Sequence, residues 1–247
     1  MSSAERDLND YTLQYRALPF EPIQAAYRRQ RVLAQIALHR PRRLLEVGCG
    51  DLPLFTDLPG IEVTVVEPAA AFAQGARRLA EGRADVHVIE AGLEAAAATL
   101  APFDMIVIGC LLHEVDDPQA LLAAARRLCT ATTLLHVNVP NAASLHRLLA
   151  VAMGLIDAPG ALSSTQRTMQ QRGTYDRAAL DAELAKAGFK VVDAGSLFVK
   201  PFTHAQMQRL VDTGFMTPAL LDGLDRLAHT LPNLGSELWL DARRCDE

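Results

Sequence analysis

The apolar positions of this chain fall into two alternating patterns. Short unbroken runs rich in Val, Ile and Leu occur at RLLEVG (43–48), EVTVVE (62–67), DVHVIE (85–90), DMIVIGC (104–110) and TTLLHVN (132–138). They show little polar alternation, as expected of strands whose sheet is covered on both faces. Between them lie AAAFAQGARRLAEG (69–82), LEAAAATLA (93–101) and DPQALLAAARRLC (117–129), which are Ala-rich and helical in period. The segment after the first strand is shorter, about two helical turns before Pro59-Gly60 stops it. Strand and helix therefore alternate, which predicts an α/β fold built on a parallel, doubly wound sheet.

After the fifth strand the rhythm changes. RAALDAELAKAG (177–188) predicts a helix ended by Gly188. FKVVDAGSLFV (189–199) and SELWLDARR (236–244) read as two more strands, with a helical insert from His204 to Thr230 between them, too long for a hairpin turn. A second insert runs from Asn141 to Gly173. A third extra piece precedes the first strand and carries Tyr11, Tyr15, Phe20 and Tyr27.

Composition narrows the function classes. Half of the residues are apolar and 21% are charged, the balance of a folded globular chain. The formal net charge is −5, and no Lys/Arg block suits nucleic acid; Arg40, Arg42 and Arg43 read as a solvated helix end. Cys49, Cys110, Cys129 and Cys245 form no CxxC pair, so reduced thiols are expected rather than disulfides or a zinc site. No apolar signal region opens the chain, and no run reaches the roughly 18 apolar residues of a membrane span. The expectation is a cytoplasmic protein with neither membrane nor nucleic-acid partner.

The candidate chemistry starts at LLEVGCGDLPLF (44–55). Gly48 and Gly50 sit between the first strand and the short helical segment after it, where open α/β sheets bind ligands. Glycines there tolerate positive φ and remove a Cβ from a ligand's path. A dinucleotide fingerprint would need a third glycine where Pro53 stands, and GxxxxGK[ST] is absent. Glu67 closes the second strand 19 residues after Gly48, a spacing that suits a ribose diol. Glu46 is an acid in an otherwise apolar strand, so burying it requires a partner.

Taken together, LLEVGCG, VTVVEP, VIEAGLE and FDMIVIGCLLHEVDDP resemble the class I S-adenosylmethionine-dependent methyltransferases over roughly residues 40–140, extending to AGFKVVDAG and the last strand. One departure is Leu52 where the third glycine usually stands. The resemblance implies a Rossmann-like, mostly parallel sheet of seven strands with the last antiparallel, and S-adenosyl-L-methionine as cofactor. It implies that Glu46, Gly48, Cys49 and Gly50 line the methionine part, and that Glu67 binds the ribose. Pro68, Gly92 and Leu93 would meet the adenine, the last by backbone and side chain, and Cys110 and Leu111 would face the methionine end after strand four.

His113 is the candidate general base for the acceptor, by its unperturbed pKa and its place after strand four. Asp116-Asp117-Pro118 suits a helix cap better than a metal, and no metal is expected. PNAASLHR, the Tyr175-Asp176 pair with Leu180, and KPFTHAQM from Lys200 resemble a bacterial branch that acts on sugars and small metabolites. His146 and Arg147 are candidates to recognise an anionic group of the acceptor. Tyr15, Phe20, Arg28 and Tyr175 complete the candidate substrate contacts. The expected organisation is an N-terminal helical lid (1–40) over a methyltransferase domain (41–247), with inserts at about 141–173 and 201–234. The expected partner is a small-molecule acceptor methylated on oxygen or nitrogen, and a homodimer is compatible with the sequence. Two alternatives stand: a non-catalytic partner subunit with this fold, and a dinucleotide-dependent oxidoreductase.

Overall fold

The structure is a computed structural model and describes residues 6–245. Residues 1–5 of the expected N-terminal lid lie outside the described residues. Seven strands form one sheet: β1 (Arg43–Val47), β2 (Glu62–Val66), β3 (Val86–Ile89), β4 (Phe103–Gly109), β5 (Cys129–Pro140), β6 (Phe189–Leu197) and β7 (Glu237–Arg244). Their spatial order is β3-β2-β1-β4-β5-β7-β6. The β1–β2, β1–β4, β2–β3 and β4–β5 pairs are parallel, and β7 runs antiparallel to both β5 and β6. The doubly wound topology expected from the pattern is therefore present, with its reversal of winding at β1 and β4.

Alternate residues of the unbroken apolar runs feed two cores. On one face Leu44, Val63, Val65, Met105 and Val107 pack together; on the other Leu45, Val66, Ile106, Ile108, Leu135 and Val137 do. Helices α3 (Ala70–Leu79), α4 (Leu93–Ala96), α5 (Pro118–Arg127) and α8 (Arg177–Lys186) cover these faces. Asp117 caps α5 by accepting from the Ala120 amide, and Asp176 caps α8 through Ala179. The Ala-rich run after β3 keeps a single turn of helix. The segment after β1 keeps only a 3-10 turn, Leu54–Asp57, led by Pro53. Pro53 donates no amide, and the Glu46 carboxylate accepts from Leu54 N, so the chain is tied down before a longer helix can form.

Two helices precede the sheet, α1 (Leu8–Ala17) and α2 (Glu21–His39). Val32 and Ile36 of α2 belong to the same core as Leu44 and Val63, so the second half of α2 is part of the sheet's own packing. Its first half joins a third apolar cluster of Phe20, Phe198, Met207, Met216, Leu221 and Trp239. The insert between β6 and β7 is two helices, not one: α9 (His204–Asp212) and α10 (Pro218–Thr230), broken where Gly214 takes φ +74°. The insert after β5 holds α6 (Leu145–Ala152) and α7 (Ser164–Thr168). Gly195 is required by packing: a Cβ there would lie 2.7 Å from the Trp239 ring on the paired strand. Among the described residues no helix is long and apolar enough to cross a membrane.

Candidate functional site

The carboxyl ends of β1, β2 and β4 converge on the glycine loop. Gly48 and Gly50 both adopt the left-handed region, φ +77° and +56°. A side chain at either would be strained, and a Cβ at Gly48 would point to Leu111, at 3.7 Å. Glu67 turns onto this loop: Oε2 accepts from Cys49 N at 2.9 Å and Oε1 from Ala69 N at 2.8 Å. Burial pushes the Glu67 carboxyl up, against the amides of Ala69, Cys49 and Gly50. The remaining lone pairs of that carboxylate can still accept from a ligand's hydroxyls. Glu46 lies beneath, its carboxyl pushed up to about 8 by burial and opposed by the Leu54 amide and Arg29. The partner that a buried Glu46 requires is thus a backbone amide of the same loop, which makes Glu46 a brace for the glycine turn.

The other predicted cofactor residues divide. Cys110 takes φ +50°, rare for a residue with a Cβ, at the end of β4, and Leu111 follows it beside Gly48. Pro68 is exposed, and Gly92 is half-buried at the start of α4. Leu93 corrects the expectation that its side chain meets the adenine. That side chain is 1% exposed inside the main core, which leaves only its backbone for such a contact.

Over the loop lies α1. Tyr15 reaches within 3.9 Å of a Gly50 Cβ and stands edge-on to Phe72, as Tyr11 does. Arg6 pairs with Glu114 at 2.8 Å, Tyr11 donates to Glu114 at 3.4 Å, and Gln170 holds the Asp7 backbone. Arg16 pairs with Asp51 of the loop itself. Burial pushes the Glu114 carboxyl up to about 7, against Arg6.

On the far side of Cys110 the ends of β4, β5 and β7 carry a buried polar ring. Glu237, 0% exposed, accepts from Arg28 Nε (2.8 Å) and a second Arg28 nitrogen (2.6 Å), from Gln24 (2.6 Å) and from Asn138 (2.9 Å). Arg28 also pairs with Glu21 at 2.9 Å. Glu21 lies 3.3 Å from His204 Nε2, His204 Nδ1 lies 3.0 Å from Lys200 Nζ, and Lys200 donates to Gln24 Oε1 at 3.0 Å, which closes the ring. Asn138 also reaches the Cys110 sulfur at 3.2 Å. Burial pushes the Glu21 carboxyl up, but Arg28 and His204 outweigh it and hold it at about 2.

Several sequence-predicted substrate residues make contacts within the fold. Arg147 is 8% exposed and gives its guanidinium to the Pro159 and Ala161 carbonyls and to Gln166, clamping the turn between α6 and α7. Three of the five N–H donors of that fork are spent within the insert, which folds back on its own arginine. Phe20 is wholly buried in the third cluster. Tyr175 packs in the main core and bridges Asn141. Arg28 is at the site, already paired with two carboxylates, and His146 is half-buried with Nδ1 unpartnered. His113 is buried, and its backbone carbonyl accepts from the Arg172 and Gly173 amides. Burial, then Arg6 and Arg28, push its imidazole down to about 3. That makes it a weak proton acceptor at neutral pH. Asp117 caps α5, and Asp116 pairs with Arg172 at 2.7 Å. Among the described residues no cluster of three or more His, Cys, Asp or Glu could hold a metal.

Glu237 and Lys200 were not singled out from the sequence as site residues. The signal for Glu237 is the one that marks Glu46, an acid in an apolar strand, here SELWL. Lys200 stands in LFVKPF, one of three lysines in the chain.

A methyltransferase domain family model matches residues 45–135, which span β1 to β5 and include the glycine loop, Glu67 and Cys110. The chain has the class I methyltransferase fold. The plantazolicin methyltransferase BamL, solved with a triazolic desmethyl analogue and SAH, aligns at TM-score 0.55 and 15% identity, over 97% of this chain and 98% of that one. A chain from a complex between the Haloferax volcanii Trm112 methyltransferase activator and a methyltransferase aligns at 0.61 and 14%, over 99% and 100%. An S-adenosylmethionine-dependent methyltransferase from Mesorhizobium loti aligns at 0.56 and 16%, over 85% and 96%. No curated protein matches the sequence. At these identities the likeness describes the fold.

Proposed function

We propose that this protein is an S-adenosyl-L-methionine-dependent methyltransferase that methylates an oxygen or nitrogen of a small molecule. The observation that carries the reading is Glu67, a buried carboxylate turned onto a glycine loop whose two glycines hold positive φ. Glu67 would hold the ribose hydroxyls, and Gly48, Cys49, Gly50, Cys110 and Leu111 would flank the methionine end. The bound cofactor supplies an electrophilic methyl on sulfonium; the chain's own residues position the acceptor and exclude water. Gly92 and the backbone of Leu93 would border the adenine.

A small acceptor is supported by the helices around the strand ends. α1 and α2 lie over the glycine loop and β4, and α9 adds Lys200's neighbour His204 to the polar ring. A helical roof of this kind suits a small molecule better than a polymer, and the net charge of −5 argues against nucleic acid. In this reading α1 is the lid, held by Glu114, Gln170 and Asp51. The test is a radiolabelled-methyl screen over small hydroxyl and amine acceptors, with sugars and secondary metabolites included. Transfer to at least one, lost in Gly50→Val, is expected; transfer only to RNA or protein would overturn the small-molecule reading.

A further inference from the structure

Lys200 is an anomaly in its own sequence. The chain has three lysines, Lys186, Lys190 and Lys200, among 24 basic residues. Lys186 and Lys190 are exposed, whereas Lys200 is 1% exposed. A fully buried lysine normally sits against a carboxylate. Among the described residues Lys200 makes no ion pair, although Glu21 and Glu237 stand in the same ring; both are committed to Arg28. The permanently charged guanidinium has two carboxylates, and the titratable ammonium has none.

Its two neighbours suit an amine in either protonation state. Gln24 gives its Nε2 to Glu237, which turns Oε1 toward Lys200 as an acceptor. His204 Nδ1, 3.0 Å away, can accept an N–H from the ammonium or from the neutral amine while its Nε2 side faces Glu21. Gln24 and Glu237 also link Lys200 to Cys110, whose sulfur lies 3.7 Å from Glu237 at the end of β4. Lys200 therefore belongs to the polar ring that borders the reacting end of the candidate site.

We propose that Lys200 is the proton acceptor for the methylated oxygen or nitrogen. This rests on the methyltransferase reading above. The acceptor's lone pair forms the new bond to the methyl carbon, the carbon–sulfur bond breaks, and its electron pair stays on sulfur as a neutral thioether. The acceptor's proton passes to Nζ, and the ammonium returns it to solvent when product leaves.

Several other ionisable groups nearby are poorly suited. Glu21 and Glu237 are paired with Arg28, Glu114 with Arg6, and burial leaves His113 and His146 neutral well below pH 7. The groups that face Lys200 are Gln24, Glu21 and Arg28 on α2, Glu237 on β7, His204 on α9, and His146 on α6 within electrostatic range. Burial lowers the Lys200 ammonium to about 8, with Glu21 and Glu237 opposing. A base near neutrality is the efficient one.

With three lysines, the protein labelled with 13C and 15N in lysine should give three side-chain signals. Titrated without ligand and with saturating S-adenosylhomocysteine, two should deprotonate above about pH 10, the ordinary lysine range. The third, absent in Lys200→Arg, should do so near 8. A third signal that titrates with the other two would overturn the proposal. With an acceptor in hand, Lys200→Arg and Lys200→Met should each lose about 100-fold or more in kcat, the range of a lost general base. Both should keep S-adenosylhomocysteine affinity within about threefold, and the acid limb of the wild-type kcat/KM profile should vanish. Turnover by Lys200→Arg within about threefold of wild type would mean a charge contact, not a proton acceptor, and would equally overturn it. The wild-type titration stands if Lys200→Met does not fold. Failure of the wild type to bind S-adenosylhomocysteine would instead remove the methyltransferase reading on which the proposal rests.

Discussion

The two halves of the strand ends are built on different chemistry. Around β1 and β2 the site is mostly backbone: two glycines in the left-handed region, amide donors, and two buried carboxylates that brace them. Around β5, β6 and β7 it is side chains: a closed ring of Glu237, Arg28, Glu21, His204, Lys200 and Gln24 drawn from four separate segments. A backbone cradle depends on a local stretch of sequence and suits a ligand shared by many relatives. A side-chain ring depends on the tertiary fold and can differ in every chain. That is the division expected if one half holds a common cofactor and the other a particular acceptor.

Substitutions in either half separate the two kinds of chemistry. The largest effect should come from Glu237→Ala. It leaves Arg28 half-paired and Gln24 and Asn138 without an acceptor; removing one partner of a buried pair typically costs about 3–5 kcal/mol. Denaturant unfolding should show that loss, and a change under about 1 kcal/mol would mean that the ring is not a structural weld. Next comes Gly50→Val, which puts a β-branched residue at φ +56° against Tyr15. S-adenosylhomocysteine binding should fall by about 100-fold or more, with a smaller loss of stability.

Glu67→Ala removes hydrogen bonds to a charged acceptor, about 1.5–3 kcal/mol each, so affinity should fall roughly 10- to 100-fold. Equal binding would remove the ribose role alone. Arg147→Met should lower stability by about 1–3 kcal/mol, by freeing the Pro159 and Ala161 carbonyls, and leave ligand affinity and turnover unchanged. A selective loss of acceptor affinity would restore the anion-binding role expected of it. The last effect is a slope with pH. The Glu46 carboxyl is raised from 4.5 to about 8, so between those values the native state binds more proton than the unfolded one. Glu46 therefore costs stability progressively as pH rises through that window, and Glu46→Gln should flatten that decline in unfolding free energy.

The same division explains what was legible in the sequence. Strand positions could be read because unbroken apolar runs mark a sheet covered on both faces, and all seven strands lie where those runs are. The glycine loop and Glu67 could be read because a backbone cradle is local. Helix lengths were less legible. Pro53 and the Glu46–Leu54 hydrogen bond replace the expected helix after β1 with a 3-10 turn, and the turn at Gly214 splits the last insert. The residues proposed for an acceptor are the least legible: Arg147 and Tyr175 are polar or amphipathic residues in an unusual motif, and their contacts in the structure are internal. Glu237 and Lys200 carry their signal only as charge within apolar stretches, and nothing in a linear pattern shows that they meet through Gln24.

In the proposed function the glycine loop and Glu67 hold S-adenosyl-L-methionine. Calorimetric titration of the wild-type protein with S-adenosylhomocysteine tests it most directly. Saturable binding at one site per chain is expected; a titration without saturable heat would rule the cofactor reading out.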